Sequence, residues 1–273
     1  MNLIDYHMHS SCSFDGYHTM LEMAMESYKK GVRRLCFTDH YDLLPVIDEK
    51  MDKENKEQRE KMLKMFKELE ENKPEDLIVR LGMELGEGNH NLAEAKKLAA
   101  EPEMDFVLGS LHNLKDVEDF YYLHYSSLEE CEEWNIKYAD ELVDLSKMDF
   151  YDVMAHIGYT LRYMRRDGIN ANYDSDAIRE RTGVCLKNLI EGGRGIEINC
   201  SGYTTPGIMG PVPDVNILKM YKDLGGEIIT IGTDAHKLEQ TASGLREGLY
   251  ILRSLGYKYI TVFNKRKPEF IKI

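Results

Sequence analysis

The sequence predicts an α/β fold in which a parallel sheet closes into a barrel. Three observations point there. Short apolar, β-branched runs alternate with longer amphipathic runs about seven times along 273 residues, the pattern of repeated strand–helix units. No GxGxxG follows any candidate strand, although an open doubly wound sheet remains the alternative architecture. Polar residues gather where the predicted strands end, the rim at which barrel enzymes place their chemistry.

The first strand is expected at Leu3–His7. The run "HTMLEMAMESYKKG" then has apolar residues at helical spacing and ends on Gly31, a natural residue just past a helix. A second strand, Arg34–Thr38, leads to the charged helix "DEKMDKENKEQREKMLKMFKELEEN", whose apolar stripe includes Met62, Met65, Phe66 and Leu69. After the third strand, Leu77–Gly82, "EGNHNLAEAKKLAAEP" reads as a loop into a helix. The fourth, Phe106–Leu111, precedes "SSLEECEEWNIKYADELVDLSKM", with Ser126 or Ser127 as its N-cap. The fifth, sixth and seventh strands are Asp152–Ala155, Gly195–Asn199 and Glu227–Gly232. Their helices are "SDAIRERTGVCLKNLIEGG", "VNILKMYKDLGG" and "SGLREGLYILRSLG". The tail "YKYITVFNKRKPEFIKI" reads as a final strand and a basic C-terminal arm. No repeat, low-complexity segment or linker interrupts the pattern, so residues 1–273 are expected to form a single domain.

Hydrophobic residues are 42% and charged residues 30%, enough for a sizeable core. The formal charge of −13 argues against a nonspecific nucleic-acid binder or an anionic-membrane binder, both of which need a basic face. Any anionic substrate must find its positive charge concentrated at one site. The five cysteines are irregularly spaced without a CxxC, as free thiols in a reducing compartment would be, so a cytoplasmic location is expected. No secretory signal is evident, and no apolar run approaches the roughly 18 residues that span a bilayer. Nothing in the sequence sets the oligomeric state.

Residues i and i+2 of a strand share a face, so His7 and His9 can point at one centre, as can Asp234 and His236. The other strand ends supply Asp39 and His40, Glu84, His112, His156, and Asn199 with Ser201. Six of the nine histidines therefore stand at strand ends. His18, His90 and His124 fall in loops or at helix starts and stand apart. Each signal alone is weak. An HxH pair is often incidental, Glu84 alone reads as a solvated loop residue, and His112 and His156 could be satisfied by core hydrogen bonds. Asp15 before Gly16 suits a turn. Gathered at one rim, however, six imidazoles and several carboxylates would repel and desolvate one another unless cations held them. This donor set suits zinc, manganese or iron.

The motifs "HMHSSCSFDG", "FTDH", "GMELG", "GSLHN", "MAHIG" and "IGTDAH" occur in order over positions 7–236. In this combination the sequence resembles the PHP family, named for its polymerase and histidinol-phosphatase members. The resemblance implies a distorted (β/α)7 TIM-like barrel of the PHP type, holding two or three divalent metal ions (Zn, Mn or Fe). It implies one ion on His7, His9, Glu84 and Asp234. A second would share Glu84 and take His112 and His156. A third would take Asp15, His40 and His236. Many family members carry histidine where Asp15 stands; aspartate is also a competent ligand. Glu84, Asp234 and His236 are the implied catalytic residues, with the last two as alternative proton donors.

The segments "HIGYTLRY" and "EINCSGY" resemble the histidinol-phosphatase branch most. They imply that Arg162 contacts phosphate and that Asn199 and Ser201 hydrogen-bond the substrate, although strand capping by the latter pair is an equal reading. Arg165 and Arg166 read as solvated. The implied activity is phosphomonoester hydrolysis of a small phosphorylated substrate, L-histidinol phosphate, with another small phosphate ester as the alternative. A noncatalytic metal-binding protein and an amidohydrolase-like barrel cleaving C–N bonds are the competing classes.

Overall fold

The structure is a computed structural model that describes residues 2–43, 49–208 and 210–273. Its elements run β1 (Leu3–Asp5), α1 (Met20–Lys29), β2 (Val32–Phe37), β3 (His40–Asp42), α2 (Glu49–Asn72) and β4 (Ile78–Gly86). They continue with α3 (Leu92–Ala99), β5 (Phe106–Ser110), α4 (Leu128–Leu145), β6 (Val153–Met154), α5 (Leu161–Arg166) and α6 (Asp176–Glu191). The last are β7 (Gly195–Asn199), α7 (Val215–Asp223), β8 (Ile229–Gly232), α8 (Leu245–Ser254), β9 (Tyr259–Asn264) and β10 (Lys267–Lys272).

The sheet order is β1-β2-β4-β5-β6-β7-β8, and every neighbouring pair is parallel. β3 continues β2 along β4 in an unchanged register: Arg34 pairs with Ile78 and His40 with Glu84. β2 and β3 therefore act as one interrupted strand, and seven strand positions ring the sheet. The ring closes where Tyr6 N donates to Ile231 O and Asp234 N to His7 O, both at 2.8 Å. This is the α/β barrel that the strand–helix alternation predicts, with seven strand positions as the family resemblance implies.

The strands are buried on both faces, as parallel strands under helices must be. Local signals set the helix starts. Thr19 and Glu22 form a reciprocal capping box on α1. Ser127, not Ser126, caps α4, while the Ser126 hydroxyl donates to Glu130. Ser175 and Asp214 cap α6 and α7. Gly31 follows α1 at φ +101°, where a side chain would be strained. None of the helices among the described residues is long and apolar enough to cross a membrane, and all five cysteines are buried free thiols.

The structure corrects several expectations. β4 runs to Gly86, so Glu84 lies inside a strand and is not a loop residue; pairing with β3 extends the ladder past Gly82. The fifth strand shrinks to Val153–Met154. Helix α5 and strand β3 are too short to show periodicity. Asp48, the expected start of the long helix, lies outside the described residues. The C-terminal tail is no free arm: β9 and β10 form an antiparallel hairpin, turned at Lys265 and Arg266, both at positive φ. That hairpin seals the end of the barrel opposite the strands' C-termini. Phe263 stacks on Phe106 with ring centroids 4.9 Å apart, and the Tyr6 hydroxyl donates to Phe263 O at 2.9 Å. The Arg266 guanidinium meets Asp152 and the carbonyls of Ala99 and Phe150. The strands' C-terminal ends open at the opposite rim.

Candidate metal centre

At that rim the i, i+2 alternation after β1 turns His7 and His9 inward together. The His7 and His9 Nε2 atoms are 3.1 Å apart. Glu84 Oε2 lies 3.2 Å from the first and 3.4 Å from the second. Asp234 Oδ1 lies 3.5 Å and 3.3 Å from the same two atoms. The ligand atoms of His7, His9 and Glu84 are therefore close enough together to hold one cation, with the Asp234 carboxylate beside the two imidazoles.

Glu84 reaches two ways. Its Oε1 lies 3.1 Å from His112 Nε2 and 2.8 Å from His156 Nε2, from the ends of β5 and β6. The carboxylate can therefore bridge two cations, one per oxygen. The third expected set is drawn together in part, and the ligand atoms that gather closely there are those of His9, His40 and His236. Asp15 Oδ2 is 3.1 Å from His236 Nε2, and Asp15 Oδ1 is 3.9 Å from His40 Nε2. His40 is shared more widely than expected, since its Nδ1 lies 3.3 Å from Glu84 Oε2. Asp15 Oδ1, His40 Nδ1, His156 Nδ1 and His236 Nε2 are buried without a hydrogen-bond partner. Buried polar atoms are rarely left so, and cations would satisfy ligand atoms among them.

The rings are oriented from behind. Glu197 Oε1 lies 2.7 Å from His7 Nδ1. His9 Nδ1 is 3.0 Å from Ser13 Oγ, which donates to Asp39 Oδ1 at 2.8 Å. Asp42 Oδ1 sits 3.4 Å from His112 Nδ1, and His236 Nδ1 is 2.9 Å from Asp234 O. With Nδ1 engaged in this way on His7, His9, His112 and His236, Nε2 of each presents its lone pair to the centre, the usual arrangement behind a metal-binding imidazole. Sequence reasoning passed over Glu197, Asp42 and Ser13 in these roles. Glu197 had a signal: it stands two residues before Asn199 on the same face of β7. Asp42 had none, because only the return of β3 against β4 brings it to His112.

Without a cation the cluster is electrostatically frustrated. Burial, then the neighbouring His236 and His40, push His9 down to about 3. Burial also opposes charge on His40, but Glu84 and Asp42 outweigh it and leave His40 raised to about 9. Burial disfavours the Glu84 carboxylate, yet His40, His7 and His112 hold it well below the usual range. Adjacent rings must thus differ in protonation, a conflict that divalent cations remove by taking every lone pair.

Arg162, from α5, reaches this centre. Its Nη2 donates to Asp234 Oδ2 at 2.7 Å, Ser201 Oγ at 2.5 Å and Asn199 Oδ1 at 3.3 Å. The three expected substrate contacts therefore converge beside the cation set. Arg162 Nε is buried and has no partner. Arg165 and Arg166 are not simply solvated: each donates to backbone carbonyls, Arg165 to Ala171 O and Arg166 to Tyr121 O and Leu123 O.

The family described as PHP domain matches residues 5–201 of this chain. A probable histidinol-phosphatase of Thermotoga maritima is 26% identical over 97% of this chain and 97% of its own. One of Clostridium acetobutylicum is 28% identical over 98% of this chain and 99% of its own. Among solved structures, the histidinol phosphate phosphatase of Lactococcus lactis, complexed with zinc, L-histidinol and phosphate, superposes with a TM-score of 0.75. It covers 98% of this chain and 99% of that one at 21% identity, a likeness of fold.

Proposed function

The chain belongs to the PHP domain family, and from that premise we propose that it is a metal-dependent phosphomonoesterase that hydrolyses L-histidinol phosphate to L-histidinol and phosphate. The whole described chain serves as one catalytic domain in this reading, acting in the cytoplasm on a small substrate, without nucleic acid or membrane. His7, His9, Glu84 and Asp234 hold one ion, Glu84, His112 and His156 a second, and Asp15, His40 and His236 a third, drawn from zinc, manganese or iron. Bound there, such ions neutralise charge on phosphoryl oxygens and lower the pKa of water.

The observation that carries the reading is the guanidinium of Arg162. Its Nη2 is fixed by Asp234, Ser201 and Asn199, while Nε is buried and unpartnered beside the cation set. A phosphate monoester, near two negative charges, is the natural partner for a guanidinium held beside that cation set. Ser201 and Asn199 aim the guanidinium; the Asn199 amide also donates to Asp234 Oδ2 at 3.2 Å.

Of the two candidates for protonating the leaving alkoxide, Asp234 is the poorer. Burial opposes its charge, but His7 and Arg162 hold it well below the usual carboxylate range, so it carries no proton to give. That leaves His236. Its Nε2 cannot both bind an ion and donate a proton, so the third ion and His236 acid catalysis are alternatives.

A panel of phosphoesters that includes L-histidinol phosphate, run with zinc, manganese and iron separately, tests the reading. Preferential turnover of L-histidinol phosphate is expected. Preference for another ester would reassign the substrate, an outcome made open by Phe14 and Tyr17, 80% and 66% exposed beside His40 and His236. No hydrolysis by fully loaded protein would leave the noncatalytic class.

A further inference from the structure

We propose that Gln58, on the outer helix α2, is a positioning residue for the third cation set. This rests on the assignment of Asp15, His40 and His236 to one ion, and it adds a part that neither the sequence motifs nor the strand ends contain.

Gln58 Nε2 donates to Cys12 O at 2.9 Å and to His40 O at 2.8 Å. The first carbonyl belongs to the loop that carries Asp15. The second belongs to the residue whose ring faces Asp15. One amide group, with both hydrogens committed, thus ties together the two chain segments that must converge on one ion. Its neighbours on the same helix face act on the same loop. The Lys61 ammonium donates to Ser11 O, and Met65 Sδ lies 3.4 Å from Cys12 Sγ. Positions 58, 61 and 65 follow helical spacing, so the contact is a face of α2 seated on the loop.

The loop is held from inside as well. Asp39 accepts from Ser10 N at 2.6 Å and from Ser13 Oγ at 2.8 Å. Beyond Ser13, Gly16 N donates to Ser13 O and Tyr17 N to His236 O, both at 3.3 Å. Gly16 packs so closely that a Cβ there would lie 1.8 Å from Ser10 O. Asp15 therefore sits on a tight turn clamped between Asp39 within and Gln58 without. His40 is tied directly to α2 and its Nδ1 also lies 3.3 Å from Glu84 Oε2, so the clamp acts first on the third set and reaches the bridged pair through His40.

Metal counting tests this without any phosphoester, so its outcome is independent of the substrate. Chelator-stripped protein is reloaded with zinc, and bound ions are counted by native mass spectrometry during titration. Wild type and the control Glu60→Ala are expected to take three ions. Gln58→Ala and Gln58→Glu, the latter an isostere that turns acceptor oxygens onto both carbonyls, should keep two. Their third ion should bind about ten- to a hundredfold more weakly, the range for lost outer-shell partners. It should return at excess zinc, with the melting temperature of the metal-free protein unchanged. The proposal is overturned if the variants keep third-ion affinity, if they lose all ions in step with a lower melting temperature, or if wild type takes only two.

Discussion

Glu197 Oε1 and His7 Nδ1 lie 2.7 Å apart with both side chains buried. The same carboxylate accepts from His156 N and from Asn199 Nδ2, each at 3.1 Å. It therefore holds one histidine from each of the two sets proposed to share Glu84, His7 through its ring and His156 through its backbone. Glu197→Gln keeps the shape but weakens the anionic hold on His7. Zinc affinity of the pair should fall about ten- to a hundredfold, measured by competition with a chelator. Unchanged affinity would deny Glu197 this role.

Arg162→Ala removes the guanidinium while sparing every proposed metal ligand. kcat/KM for a phosphomonoester should drop about 10²–10³-fold, the scale for losing one well-placed charged donor. The ion count should stay the same. Arg162→Lys should recover only part, since a point charge cannot meet Asp234, Asn199, Ser201 and phosphate together. Near-normal kinetics for Arg162→Ala would instead favour the C–N-cleaving class.

The metal-free protein should lose stability as pH rises from about 6.5 to 9. His40 is raised to about 9 in the fold, so its contribution is complete below the unfolded value near 6.5 and disappears through pH 9. His7 and His112, whose burial is outweighed by adjacent carboxylates, are raised as well and act in the same direction. His9, pushed down to about 3, loses its contribution only as pH falls below 6.5 and does not oppose the trend. Loaded protein should show the slope flattened or reversed, because ions bind deprotonated ligands. Melting temperatures across this range, with and without chelator, check the sign.

Arg266→Ala should destabilise the fold by about 2–3 kcal/mol while leaving kcat and metal content alone, because it strips hydrogen bonds from a mostly buried Asp152 and two carbonyls. Chemical denaturation read beside the activity assay separates the two effects. A matching loss of activity would tie the C-terminal hairpin to the site.

Much of the site was legible because its chemistry sits in local patterns. His7 and His9 share a face by strand alternation. The acidic and imidazole residues stand where apolar runs stop, and barrel strands must stop at one rim. Position along a strand says less about partners. Glu84 read as a loop residue because the short β3 that prolongs its strand has no periodicity of its own. Asp42 reaches His112 only through that pairing. The tail read as an arm because half of a hairpin on a barrel floor is exposed and charged.

The sequence by itself determined the strand–helix alternation, the acidic balance and the kinds of donor placed at each strand end, since these depend on composition and on periods of two and 3.6 residues. Only the tertiary structure decided that Glu84 faces two imidazole sets, that Glu197 backs His7, that Arg162 meets Asp234 and that Gln58 grips the Asp15 loop. Those relationships join segments tens to hundreds of residues apart. They follow from ring closure and side-chain direction, which no local period encodes.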